Sequence, residues 1–369
     1  MQQHQELVLP LWSSPRTERD AGVHLLSRLW QILPPITGLY AVQLTGNYNG
    51  TYGASCSTLA AMPTNATALV WSHLGASFQP LFRKAGCGNL SAESERRARI
   101  ISFEPLFVRA TAGKCPMPMA SLSGLPYIAV PYPSPFRATS DDSIDEHIAM
   151  IMQSRRQYLV AYFGNAHGRD VELRMHLNAV CRMAGSRCAS SPAGVGFGTL
   201  QTVMLDYADS EFCLMPGGDT PTREAMFDAL LCGCIPVFFA ECAPPCPSDC
   251  PRGLLFESSY HPFLPRFERV DWGAGDWAVV MNTTHVLRDE QTLIQDLDRI
   301  GKQQRKSMRA RISEFLPNLQ YAQTGSRLTR HEDAGMLLRQ HLGFRDAEAW
   351  PERTRRIHIK QPQHPQRNG

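Results

Sequence analysis

The sequence predicts an α/β protein in which helices cover both faces of a largely parallel sheet. Residues 212–215 and 235–239 are short, uniformly apolar runs of the kind that form buried strands, and a helical pattern at 222–232 separates them. The same alternation occurs earlier, with a helix at 144–157, a strand at 158–163 and a helix at 170–183. The chain has 369 residues, of which 43% are hydrophobic, which is enough for two domains with sizeable cores.

Composition excludes several classes of protein. The net charge is only +3, from 37 basic and 34 acidic residues, which argues against a strongly basic nucleic-acid binder. No apolar run reaches the roughly 18 to 20 residues that span a bilayer, and residues 1–15 lack the order of a signal peptide. We therefore expect a soluble chain, or the body of a longer protein whose anchor is not included.

Weaker patterns complete the order of elements. Further strands are predicted at 39–44, 68–71, 100–109, 128–130 and 277–281. A long helix is predicted at 289–315 and a last one at 333–342. Residues 115–140 are rich in Pro, Ser and Gly and are expected to be mostly loop, whereas the basic tail, 346–369, is expected to be disordered.

Cysteine content favours the secretory pathway over the cytosol. The chain has 11 cysteines and four glycosylation sequons, beginning at Asn49, Asn65, Asn89 and Asn282. Cys181 and Cys188 form the best candidate disulfide pair because they are close in sequence. Free, buried thiols are expected at Cys213, Cys232 and Cys234.

The turn between the two apolar runs is the best candidate for a binding site. Gly217 and Gly218 allow a sharp turn and a close approach of ligand to backbone, and Thr222 is a plausible N-cap for a helix that starts at Arg223. Amide groups at that helix end, together with the guanidinium of Arg223, favour an anion such as a diphosphate. The alternative is a tight turn with Arg223 in an ordinary surface salt bridge.

No metal site is expected. Asp296 and Asp298 form an Asp-x-Asp pattern that could bind a cation, but Leu297 would lie on the buried face of a helix and the two carboxylates would point to solvent. The spacing of Cys242, Cys246 and Cys250 favours disulfides or inert thiols over zinc.

The stretch 212–239 resembles the exostosin-like glycosyltransferase family, in particular the plant xyloglucan galactosyltransferase branch. The matching residues are Phe212, Cys213, Leu214, Pro216, Gly218, Asp219, Thr222, Arg223, Phe227, Asp228, Gly233, Cys234, Ile235, Pro236, Val237, Phe238 and Phe239. Further matches are Val130-Pro131-Tyr132-Pro133, Arg155-Arg156 leading to Phe163-Gly164, and Arg174 with Cys181. The resemblance covers about residues 125 to 345.

This resemblance implies a GT-B-like fold, with two Rossmann-like domains facing each other across a cleft. The implied division is an N-terminal, acceptor-side domain at 1–140 and a nucleotide-sugar-binding domain at 141–345. The implied reaction is inverting transfer of a sugar, galactose first, from a UDP-sugar to a glycan acceptor in the Golgi lumen. No cofactor, metal or nucleic-acid partner is implied, and a membrane anchor would lie outside this chain. A non-catalytic nucleotide- or glycan-binding protein of the same fold is the alternative.

The resemblance also assigns roles to residues. It implies that the donor diphosphate is bound by Gly217, Gly218, Asp219, Thr222 and Arg223. Asp228 would orient the site or bind sugar or ribose hydroxyls. An inverting reaction needs a general base, for which Glu104 and Asp141 are the candidates.

Overall fold

The structure is a computed structural model. It describes the backbone of six short strands between residues 39 and 129. Beyond them it describes residues 130–164, 171–190, 200–217, 223–240, 260, 263–265, 273–323 and 325–341.

The N-terminal strands include a parallel sheet. β1 (Leu39–Leu44), β2 (Thr67–Ser72), β3 (Ala98–Ser102) and β6 (Tyr127–Ala129) pair in that order, all parallel. A separate antiparallel pair is formed by β4 (Phe107–Val108) and β5 (Met117–Pro118). The strands predicted at 39–44, 68–71 and 128–130 are confirmed to within a residue, whereas the single strand predicted at 100–109 is wrong, since two short strands, β3 and β4, occupy that region.

A second sheet follows further along the chain. Its strands are β7 (Tyr158–Tyr162), β8 (Cys188–Ser190), β9 (Ser210–Met215), β10 (Ile235–Ala240), β11 (Gly273–Ala274) and β12 (Val279–Asn282). Their order across the sheet is β11-β12-β10-β9-β7-β8, parallel except for the edge strand β11. Numbering the five parallel strands by sequence gives the doubly wound order 2-1-3-4-5, in which the direction of winding reverses between β7 and β9.

Helices connect these strands and extend beyond them. Their bounds are α1 Asp141–Gln153, α2 Val171–Ala184, α3 Leu200–Ala208, α4 Glu224–Leu231, α5 Thr283–Val286, α6 Glu290–Arg299, α7 Lys302–Phe315 and α8 Ala334–His341. Short 3-10 turns follow α2 at Gly185–Arg187 and α7 at Leu316–Leu319. The prediction of one helix over 289–315 is wrong, since the chain leaves helical geometry at Ile300 and Gly301, where α6 ends and α7 begins.

The core around the second sheet consists of apolar side chains from its strands and from the helices that pack on it. α4 is buried along nearly its whole length, with Met226, Phe227 and Leu230 at most 1% exposed. Trp277 is fully buried and packs edge-on against Phe238 and Phe315. A helix without a polar face must be covered on all sides, and this fixes α4 between the sheet and its neighbours.

The predicted α/β, GT-B-like fold class is confirmed in the two separate parallel sheets, each built from its own part of the chain. The strand that ends the first sheet lies before residue 130, and α1 starts at Asp141. The domain limits at 1–140 and 141–345, and a cleft between the domains, stay predictions.

Arg156 forms hydrogen bonds to the C-terminal ends of three helices. Its guanidinium donates to the carbonyls of Ile151 at the end of α1, Ala208 at the end of α3 and Cys232 after α4. Carbonyls at a helix C-terminus have no partner within the helix, so one arginine satisfies three such ends at once. Burial lowers the pKa of Arg156 to about 10, with the nearby Arg309 acting in the same direction.

The start of α1 is tied to the C-terminal part of the chain through Asp141. Its carboxylate accepts hydrogen bonds from the amide and hydroxyl of Thr329 and from the amides of Arg330 and His331. Arg330 also pairs with Asp142 and Asp145. The segment after α7 is therefore part of the same folded unit as α1.

The cysteines pair differently from the prediction. The Cys181–Cys188 disulfide is confirmed. The prediction of free thiols at Cys213 and Cys234 is wrong, because parallel pairing of β9 and β10 brings their Cα atoms to 5.9 Å and the two form a disulfide. Cys232 is buried and free, as predicted. Cys242, Cys246 and Cys250 lie outside the described residues.

The helices that the structure describes include none long and apolar enough to cross a membrane.

Candidate functional site

The candidate site lies where β7 and β9 end. In doubly wound sheets ligands bind outside the carboxyl ends of the strands, at the point where the winding reverses. Here that point is the space beyond Tyr162 at the end of β7 and beyond Met215 at the end of β9. The predicted turn at Gly217 leaves the sheet at this edge, because it follows β9 directly.

Two arginines connect the two strand ends. Arg223 donates from Nη2 to the carbonyl oxygen of Phe163, at 3.0 Å. Arg174, a buried residue of α2, donates from Nη2 to the carbonyl oxygen of Gly217. Each guanidinium thus reaches the backbone just after a central strand, and two positive charges lie at the edge where a ligand is expected.

Arg223 keeps one arm of its guanidinium without a partner among the described residues. Its Nη1 atom is buried and makes no hydrogen bond within the part of the chain that the structure describes. Burial lowers the pKa of Arg223, and the groups acting on its charge are Tyr207, Arg174 and Tyr162. None of these three is negatively charged at neutral pH, so the buried cation lacks a counterion among them. Such a group is costly unless an anion joins it.

The structure corrects the predicted start of α4. Arg223 occupies the N-cap position with extended backbone, and the helix begins at Glu224 rather than at Arg223. The side chain of Arg223 makes no capping hydrogen bond to the helix. Its guanidinium is accordingly directed to Phe163 on the neighbouring strand end, and the alternative of an ordinary surface salt bridge does not describe it.

Of the predicted donor-binding residues, the structure brings Gly217 and Arg223 to the same edge of the sheet. Gly218, Asp219 and Thr222 lie outside the described residues, as does Glu104. Gly233, predicted to end the helix, follows the C-cap Cys232 and has a φ of 64°.

Asp228 is buried inside the second half of α4, at 5% exposure. After burial, its negative charge is the main influence that raises the pKa of the Cys232 thiol, and it also raises the pKa of Tyr207. Tyr207 is thus influenced by both the Asp228 carboxylate and the Arg223 guanidinium. Its role towards the donor sugar stays a prediction.

The structure argues against Asp141 as the general base. Both carboxylate oxygens accept hydrogen bonds from residues 329–331. Burial raises its pKa, but those hydrogen bonds outweigh it and hold the pKa at about 2. A carboxylate with so low a pKa is a weak base, and its lone pairs are occupied.

The Asp-x-Asp pattern is engaged in ion pairs. Asp296 pairs with His285 and Arg299, and Asp298 pairs with Arg187. Leu297 between them is fully buried, as the helical pattern predicts. Within the described ranges no group of three or more potential metal ligands comes together.

Two residues of this edge, Arg174 and Tyr162, are not predicted as site residues by the sequence. Arg174 matches the family pattern and Tyr162 lies in a predicted strand, but neither pattern places them beside Gly217. Both are placed by strand order, since α2 and β7 are brought beside Gly217 only when β9 pairs next to β7.

The fold and the two arginines together define an α/β domain with a positively charged candidate site at the carboxyl edge of a doubly wound sheet. Residues 123–297 match the exostosin GT47 domain. The predicted resemblance to the exostosin-like glycosyltransferase family is thereby confirmed for this region, which is similar to plant xyloglucan glycosyltransferases.

Three relatives from Arabidopsis thaliana illustrate the match. Xyloglucan-specific galacturonosyltransferase 1 is 30% identical over 210 residues, which is 56% of this chain and 29% of that protein. Xyloglucan galactosyltransferase XLT2 is 27% identical over 232 residues, 60% of this chain and 41% of that protein. Probable xyloglucan galactosyltransferase GT20 is 28% identical over 210 residues, 56% and 34% of the two chains. The matched region thus spans between 29% and 41% of these relatives.

Among solved structures, the crystal structure of the pneumococcal O-GlcNAc transferase GtfA in complex with UDP and GlcNAc aligns with a TM-score of 0.38 and 12% identity. The alignment covers 69% of this chain and 54% of that one. A similarity this distant carries no argument about the site.

Proposed function

We propose that this protein is a glycosyltransferase that transfers a sugar from a UDP-sugar to a glycan acceptor. The observation that carries the proposal is the Nη1 atom of Arg223, which is buried and has no partner among the described residues. It lies at the carboxyl ends of β7 and β9, in a region that matches the exostosin GT47 domain. A diphosphate is a doubly charged anion that would supply the missing partner. Arg174 would add a second positive charge and hold the turn at Gly217.

Galactose is the proposed sugar, by analogy with the relatives named as galactosyltransferases, and the proposed reaction inverts the anomeric carbon. The acceptor hydroxyl would attack that carbon, losing its proton to a general base, while the bond to the β-phosphate oxygen breaks and UDP leaves. Arg223 would stabilise the charge that develops on the departing diphosphate. We retain Glu104 as the proposed base, and we propose that the reaction needs no metal ion and takes place in the Golgi lumen.

A second candidate function is nucleotide or glycan binding without transfer. The family match begins at residue 123, so Glu104 lies before the matched region. A donor site that is intact beside an altered acceptor side would bind UDP without catalysing transfer.

The donor site is tested by replacing Arg223 with alanine. Arg223→Ala is expected to weaken UDP binding by about 1.5 to 3 kcal/mol, roughly tenfold to a hundredfold in Kd, because a charge-assisted hydrogen bond is lost. Calorimetric titration with UDP measures this. Arg187→Ala is the matched control, since that exposed arginine pairs with Asp298 and should not affect UDP affinity.

The outcomes separate the candidates. Unchanged UDP affinity in a folded Arg223→Ala variant would remove Arg223 from the site. Transfer from one of several UDP-sugars to a mixed glycan acceptor pool, with and without EDTA, supports the enzyme and tests metal independence. UDP binding without turnover on any acceptor supports the binding protein instead.

A further inference from the structure

A second polar group at this edge of the sheet is buried and has no partner in the part of the chain that the structure describes. The side chain of Tyr162, the last residue of β7, is 1% exposed. Its hydroxyl makes no hydrogen bond within the described part of the chain. A buried hydroxyl without a partner costs free energy, so it needs an explanation beyond packing.

The position of the hydroxyl relates it to the strand end and to the arginines. A Cβ atom at residue 164 would collide with the Tyr162 hydroxyl and ring, so the ring occupies space that Gly164 leaves open beyond the end of β7. Arg223 and Arg174 are the charged groups that act on this hydroxyl. Arg223 also donates to the carbonyl oxygen of Phe163, the residue next to Tyr162. The hydroxyl and the Nη1 atom of Arg223, which has no partner among the described residues, therefore lie at the same end of β7.

The chemistry of the neighbours indicates what would bind. Burial raises the pKa of Tyr162, although the two arginines act to lower it, so the hydroxyl stays protonated at neutral pH and can donate a hydrogen bond. Beside two guanidinium groups, the acceptor that gains most is an anionic oxygen. A sugar hydroxyl is neutral and would bring no counterion to the guanidinium of Arg223.

We propose that the Tyr162 hydroxyl donates a hydrogen bond to a phosphate oxygen of the nucleotide-sugar donor, alongside Nη1 of Arg223. This inference rests on the proposed function and adds a neutral donor to the charged site. Tyr162 is then a binding residue for the diphosphate, and Gly164 is required because a larger residue would displace its ring.

The test compares substitutions at two buried tyrosines. The hydroxyl of Tyr162 has no partner among the described residues, whereas the hydroxyl of Tyr321 has one. Tyr162→Phe removes a hydroxyl that has no partner among the described residues, so the variant should be at least as stable as the wild type. Its Kd for UDP should rise roughly tenfold to a hundredfold, the effect of losing a hydrogen bond to a charged oxygen. The Kd for inorganic diphosphate, measured by competition with UDP, should rise likewise. Tyr321→Phe is the control, because that buried hydroxyl donates to the carbonyl of Pro131 at 2.8 Å.

The control should show the opposite result, with a lower melting temperature and an unchanged Kd for UDP. If Tyr162→Phe folds and binds UDP as the wild type does, the inference is overturned while the proposed function stands. If Kd for UDP is unchanged but KM for the UDP-sugar rises, the hydroxyl contacts the sugar and the phosphate assignment is wrong. If the wild type binds no UDP, the proposed function fails and the inference fails with it.

Discussion

At the scale of single residues, what matters is which buried polar groups have partners inside the protein. The guanidinium of Arg156 donates to backbone carbonyls at the ends of several elements and has a structural task. The carboxylate of Asp141 is similarly committed to residues 329–331. Arg156, Arg223 and Tyr162 each keep one buried polar atom unpartnered among the described residues. Arg223 and Tyr162 differ from Arg156 in position, since both lie at the carboxyl edge of the sheet where a ligand is expected.

Asp228 is the buried carboxylate to test at this scale. Asp228→Asn keeps the size and one acceptor oxygen but removes the negative charge that acts on Tyr207 and Cys232. We expect turnover to fall roughly tenfold to a hundredfold while Kd for UDP changes less than about threefold, because the carboxylate would act on the donor sugar rather than on the diphosphate. Steady-state kinetics and UDP titration measure the two effects. Lower UDP affinity and stability with normal turnover would make Asp228 a structural residue.

At the scale of elements, residues that are close in sequence were predicted best. The strands and helix around the turn at Gly217 were placed within about two residues of β9, α4 and β10, because short apolar runs and a glycine stop mark their limits. β8 has three residues and exists through its pairing with β7, which no local pattern reports. The sequence does not predict α3, because the glycine-rich stretch before it contains no pattern typical of a helix N-terminus.

The sequence predicts only part of the site, because the remaining site residues are far apart along the chain. Gly217 and Arg223 share one local segment, whereas Phe163, Tyr162 and Arg174 reach them through strand order and packing. The disulfide between Cys213 and Cys234 likewise depends on the register of β9 against β10. Such partners are set by tertiary contacts, which a single sequence does not reveal.

The contact between α1 and the end of α4 predicts a pH dependence. His147 on α1 stacks on Phe136 at 3.9 Å between ring centroids and donates from Nε2 to the carbonyl of Leu231 at 2.7 Å. Burial lowers its pKa from 6.5 to about 4. Between these values the unfolded chain binds a proton that the folded chain does not, so this stabilisation is complete above pH 6.5 and is lost as the pH falls towards 4.

We therefore expect the wild type to lose up to about 3 kcal/mol of unfolding free energy through this group between pH 6.5 and 4. His147→Gln, which retains a hydrogen-bond donor, should lose less over the same range. Urea unfolding at a series of pH values measures both curves. Parallel curves for the two proteins would show that His147 does not cause the dependence.

At the scale of the whole molecule, two disulfides join separate elements of the fold around the second sheet. One connects α2 to β8, and the other joins β9 to the residue before β10. Both agree with an oxidising compartment, the setting proposed for this protein.

Peptide mapping tests this pairing. After unfolding without reductant, an alkylating reagent should label Cys232 but not Cys181, Cys188, Cys213 or Cys234 in protein made under oxidising conditions. Removing the Cys213–Cys234 bond by a double alanine substitution should lower the unfolding free energy by about 3 kcal/mol, since it closes a loop of about 20 residues. Alkylation of Cys213 and Cys234 before reduction would contradict the assignment.

The attachment of residues 329–331 to Asp141 has a practical consequence for where the chain can be shortened. The family match stops at residue 297, but Tyr321 and Gln320 beyond it bond to Pro131 and Ala138 near the beginning of the match. A fragment cut at 297 would leave the carboxylate that starts α1 without its three amide donors. An expressible unit should extend through α8, because residues 320–331 supply hydrogen bonds to residues 131–141.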